Sequence, residues 1–66
     1  MSQESLDKIA DALNHMVDAA NEMNFASVKL RQAGDKATAE KLDKVRADFR
    51  ALRMDVTDRI TEGEKR

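Results

Sequence analysis

Residues 30–36 read LRQAGDK, and this stretch divides the chain into two helical halves. Gly34 is the only glycine in the first 62 residues. A lone glycine followed by aspartate suits a helix that ends on a left-handed residue, with the aspartate capping the next helix. On the N-terminal side, Leu6, Ile9, Leu13, Met16, Ala20, Met23 and Leu30 follow one another at spacings of three and four, with Ser27 as the one break. That is a heptad seam with Leu6 at position a and Ile9 at d. On the C-terminal side, Leu42, Val45, Phe49, Leu52 and Val56 resume the alternation, and Ile60 falls one place beyond the next expected position. The pattern predicts an all-α antiparallel hairpin: a helix over about 3–33, a turn at Gly34-Asp35 and a helix over about 36–61, each arm on the order of 40 Å long.

Ser2 is the expected N-cap of the first helix, with Glu4 and Asp7 placing negative charge near its start. The second helix is expected to fray at Gly63, leaving 62–66 as a polar tail of a single domain spanning 1–66. A break near Asn21 or Asn24 would give three helices instead. The propensity deficit of asparagine is only a few tenths of a kcal/mol, however, and rarely interrupts a helix without Gly or Pro.

Composition supports the helical reading and narrows the function. With 66 residues, 7.4 kDa, no Cys, no Pro and two Phe as the only aromatics, the chain has no material for a β-rich fold, a disulfide framework or a thiolate metal site. A net charge of -1 and a pI near 5.7 give no general attraction to phosphate or anionic lipid. No apolar run is longer than two residues, against the roughly 20 needed to cross a bilayer. Residues 1–8 have neither a basic start nor an apolar signal segment. The expectation is a cytoplasmic, unprocessed protein.

A single core in a chain below roughly 70–80 residues seldom supplies more than about 3–5 kcal/mol, so self-association is the expected route to stability. The flanks of the first helix fit that need. Position g reads Ala12, Ala19, Ala26 and Ala33, and position e contributes Ala10 and Val17, where a two-stranded coil would carry charge. Helix 2 is charged outside its seam, with Glu40–Lys44, Lys44–Asp48 and Asp55–Arg59 at i,i+4 spacing. The prediction is a C2 homodimer forming a four-helix bundle. Its interface would hold Ala12, Ala19, Ala26 and Ala33 together with Leu13, Met16, Ala20 and Met23. The competing reading is a monomeric hairpin whose alanines are simply good helix formers.

Three features bear on function. Arg46, Arg50 and Arg53 sit at i, i+4 and i+7 on helix 2, a spacing that can grip nucleic-acid phosphates. The plainer expectation is pairing across the hairpin: a fold about Gly34 sets residue i opposite a residue near 69 minus i, so Arg50 and Arg53 come close to His15 and Asp18, and Arg59 close to Asp11. Asp11, His15 and Asp18 share a face, but three ligands from one exposed helix make a poor metal cage, and His15 is better read as paired with an aspartate. No catalytic constellation, metal site or cofactor site is expected. Phe25 at f and Val28 at b point outward in this register. Either the helix shifts phase after Asn24 and buries them, or they belong to a surface that contacts another protein; Met54, with Ala47 and Ala51, could extend an apolar strip.

The expectation is a non-enzymatic regulatory or accessory homodimer, of the kind phages and plasmids encode, that binds another protein through Phe25, Val28, Arg46, Arg50 and Arg53. The alternative is an RNA- or DNA-binding four-helix bundle that uses the arginine stripe. In shape, the architecture resembles the small dimeric hairpin bundles, of which a plasmid RNA-binding regulator is the familiar case; that resemblance is what favours RNA as the alternative ligand.

Overall fold

The computed structural model describes residues 2–64, and it is an antiparallel hairpin of two long helices, α1 (Gln3–Gln32) and α2 (Lys36–Glu64). It measures 49 × 15 × 11 Å. Ser2 caps α1 as expected: its Oγ accepts a hydrogen bond from the Ser5 N–H at 3.2 Å, satisfying one of the unpaired first-turn donors. The helix then runs without a break through Asn21 and Asn24.

The turn is closed by two backbone hydrogen bonds. Gly34 N–H donates to Arg31 O at 3.0 Å and Asp35 N–H to Leu30 O at 2.9 Å, with Gly34 at φ +84°. This pairing is the Schellman motif, which takes a glycine at its left-handed position. Asp35 Oδ1 then accepts from the Thr38 N–H at 3.1 Å and starts α2, so one dipeptide ends one helix and begins the next. Hydrogen bonding from Thr38, first from its side chain and then from its backbone N–H, holds the Asp35 pKa below the ordinary 3.8.

Helix α2 continues past the expected end to Glu64. Gly63 does not fray it, because the glycine packs against the Leu6 side chain, where a Cβ would overlap Leu6 Cδ2. The missing side chain lets the open end of the hairpin close. Lys65 and Arg66, the end of the expected polar tail, lie outside the described residues.

The interhelical row of α1 follows the expected seam: Leu6 is buried and Ile9, Leu13, Met16, Ala20, Met23 and Leu30 are half-buried. Ser27, the break in the apolar pattern, is also buried. The row of α2 departs from expectation. Leu42, Phe49 and Val56 face inward, but the alternate positions are Ala39, Arg46, Arg53 and Ile60 rather than Val45 and Leu52. Ala39 is completely buried, whereas Val45 and Leu52 stay 55% and 52% exposed. The helix is therefore turned so that positions a and e, not a and d, meet α1. Small residues at both ends of the row, Ala39 and Gly63, permit close approach. In the middle, the long arginine side chains bring apolar stems to the seam while their head groups reach outward.

Candidate functional site

The rotation of α2 gives the hairpin two unlike flanks. One is organised by Asp43, whose carboxylate gathers three residues near the turn. Ser27 Oγ donates to Asp43 Oδ1 at 2.8 Å, Arg46 Nη1 donates to the same oxygen at 3.0 Å, and Arg31 Nη2 pairs with Oδ2. Arg46 Nη2 also donates to Asn24 Oδ1 at 3.0 Å, across the hairpin. The hydrogen bond from Ser27, then that from Arg31, holds the Asp43 pKa below the usual 3.8, against the opposing effect of burial. Ser27 thus fits the seam by supplying a donor to a half-buried carboxylate.

Toward the open end, the same flank forms a groove of about 750 Å³. Arg46, Arg50, Arg53, Met54 and Thr57 of α2 line it, and Ala20, Asn21, Met23 and Asn24 of α1 form the opposite wall. The three arginines of the sequence stripe do share one surface. The expected pairing across the hairpin does not form: among the described residues, Arg50, Arg53 and Arg59 make no ion pair, and His15 pairs with neither Asp11 nor Asp18. The i,i+4 pairs expected on α2 are also absent among the described residues, where Lys8–Glu4 on α1, at 3.4 Å, is the only ion pair of that spacing. The physical reason is length and exposure, since on a solvated helix face long side chains gain little from a fixed partner. Arg53 is different, because its Nε is removed from solvent and has no acceptor.

Phe25 and Val28 remain outward, Phe25 at 61% exposure, so α1 does not shift phase after Asn24. The Ser27–Asp43 hydrogen bond explains why: it keeps position a facing α2 through the last turns, which holds b and f outside. On a helical wheel, Phe25 and Val28 fall on the groove flank, beside Asn21 and Asn24. Met54 is exposed on this flank as well.

The opposite flank is apolar. Ala12, Ala19, Ala26 and Ala33 are all exposed, while Leu13, Met16, Ala20 and Met23, the other residues expected in a dimer interface, are half-buried within the hairpin. The turned α2 adds Val45 and Leu52 to this flank, because an antiparallel pair places the g and d rows of both helices on the same side. Lys41, Asp48 and Asp55 of α2 border the patch with charge.

Among the described residues, no group of three or more His, Cys, Asp or Glu is placed to hold a metal ion. No helix is long and apolar enough to cross a membrane. Comparison with known proteins adds no relative: no family model, curated protein or solved structure matches the chain.

Proposed function

We propose that this chain is a non-enzymatic interaction module that pairs with a second copy along its apolar flank and presents its polar flank to another protein. The observation that carries this reading is the exposure of Val45 and Leu52. They are seam residues by pattern, yet both are more than half exposed, on the flank that carries the four alanines. A second copy packed there would cover them and the outer edge of Met16, with Lys41, Asp48 and Asp55 as a polar rim.

The areas agree with such pairing. The hairpin exposes 5196 Å², whereas a compact monomer of this mass would expose about 4,200 Å². The excess, on the order of 1,000 Å², is comparable to the roughly 800 Å² that each partner buries in a standard interface. Among the described residues, only Leu6 and Ala39 are buried apolar residues, so a four-helix bundle would supply the core that the single hairpin lacks.

Sedimentation equilibrium tests the proposal directly. The chain should run as a dimer, and Ala19→Arg, which inserts a charged side chain into the middle of the flank, should split it. A folded 7.4 kDa monomer would refute the pairing.

The second reading, nucleic-acid binding through Arg46, Arg50 and Arg53, draws on the shared groove and the absence of ion pairs at Arg50 and Arg53. It has less support, because Arg46 is committed to Asp43 and Asn24 and the net charge is -1. Within the stripe, Arg50 and Arg53 are the two left without an ion pair among the described residues, and two such arginines release few counterions on a duplex.

A further inference from the structure

We infer that the arginine groove binds an acidic, amphipathic helix of a partner protein, with carboxylates on Arg50 and Arg53 and apolar side chains on Phe25 and Val28. This deepens the interaction reading above by naming the chemistry of the partner. It is independent of dimer formation, since the groove lies on the other flank.

Four observations converge on it. Arg53 lines the groove, makes no ion pair among the described residues, and holds its Nε out of water without an acceptor, so turning the guanidinium outward onto a carboxylate gives that donor a charge-assisted hydrogen bond that it lacks in the free chain. Arg50 lines the same groove, is exposed, and makes no ion pair among the described residues. Arg46 is held by Asp43 and Asn24, so the neighbouring wall is set before any ligand arrives. Met23 and Met54 line the groove as adaptable apolar contacts.

The length also fits. Val28 lies opposite a position near residue 41 of α2, so the surface from Val28 to Arg53 spans about 18 Å, or roughly twelve residues of helix. A helical ligand places apolar residues at i, i+3 and i+4 along such a face, which would use Phe25 and Val28. Nucleic acid would gain little here, because only Arg50 and Arg53 of the stripe are without an ion pair among the described residues and Asp43 also lines the groove.

The test uses the whole chain and a synthetic helical peptide of about fourteen residues, with two glutamates one turn apart and two leucines toward one end. Its Glu→Gln counterpart and a short RNA duplex are the comparators. Binding is followed by fluorescence anisotropy and by the Arg53 Nε–H resonance, with sedimentation run in parallel. The peptide should bind and shift that resonance. The Gln peptide, or an Arg50→Ala/Arg53→Ala protein, should bind at least about tenfold more weakly, and Phe25→Ser several-fold more weakly. Any of three results overturns the inference: no peptide binding, equal binding of the Gln peptide, or preferential binding of the duplex with steep salt dependence. A monomer that binds the peptide would sink the pairing proposal and leave the groove standing, whereas a dimer indifferent to the peptide would do the reverse.

Discussion

The two flanks of this hairpin are built from the same heptads yet differ in what lies along the seam near the turn. On the groove flank, the residues beside the seam are Ser27, Asn24, Asp43 and Arg46, which satisfy one another within the chain. On the other flank they are alanines, valine and leucine, with nothing in the hairpin to cover them. The difference shows how a two-helix unit without a closed interior can be specified. Directional polar contacts fix the register and rotation of α2, and the rotation then decides which apolar residues are left for a partner. Because Asp43 draws positions b and e toward α1, Val45 and Leu52 turn outward.

The largest effect should come from the apolar flank. If a second copy covers it, Leu52→Ala removes a buried side chain and should cost about 2–4 kcal/mol per protomer, with a concentration-dependent Tm. On an isolated hairpin the same change is a surface substitution worth less than about 0.5 kcal/mol. Chemical denaturation at two protein concentrations separates these outcomes. Equal stability of the variant and the parent at both concentrations would place Leu52 on free surface.

Arg53→Met sharpens the contrast from the groove side. The arginine keeps its Nε buried without an acceptor, and an unpaired buried donor costs about 1–3 kcal/mol. Methionine has a similar unbranched stem and no donor. The variant should therefore be more stable, by on the order of 1 kcal/mol, while losing affinity for an acidic peptide. A residue that weakens the fold and strengthens binding is a functional residue, and thermal melts paired with peptide titration will show whether Arg53 is one. A loss of stability would mean that its pairing within the chain is better than the unpaired Nε implies.

Gly34→Ala acts on the turn that both flanks share. The Cβ meets no atom within 4 Å, so the cost is the left-handed backbone alone. About 1–2 kcal/mol of destabilisation is expected, with oligomeric state and peptide affinity unchanged. A change in either of those would mean that the turn does more than close the hairpin.

Much of this organisation is legible in the sequence, for identifiable reasons. Gly34-Asp35 and Ser2 act through their nearest neighbours, so the turn and the first cap follow from local chemistry. The rotation of α2 depends on which of two adjacent rows meets α1, and the heptad pattern alone leaves both open. Ile60 is the visible trace of it: its offset from the Val45–Leu52 row places it in line with Ala39, Arg46 and Arg53, the row that faces inward. The role of Ser27 was hidden because its partner, Asp43, is sixteen residues away and lies outside the a/d positions. The expected salt bridges failed for the converse reason, since sequence spacing shows which charges can meet but not whether solvent is the better partner.

The finest distinction between the flanks lies in their response to acid. Asp43 has its pKa lowered chiefly by the hydrogen bond from Ser27 and then by that from Arg31, and Asp35 has its own lowered by Thr38. A carboxylate whose folded pKa lies below its unfolded value stabilises the fold fully above the unfolded value, near 3.8 here, and loses that contribution as pH falls through the folded value. Stability should thus be flat in these two groups near neutrality and decline below about pH 4. Asp43→Asn cannot titrate, so it should lower the Tm at pH 7 and reduce the steepness of the acid decline, leaving the part due to Asp35. Val45→Ala should shift the whole Tm curve without changing that slope. Thermal melts of the two variants from neutral to acidic pH make the comparison, and an Asp43→Asn curve parallel to the parent would mean that the carboxylate does not organise the groove flank.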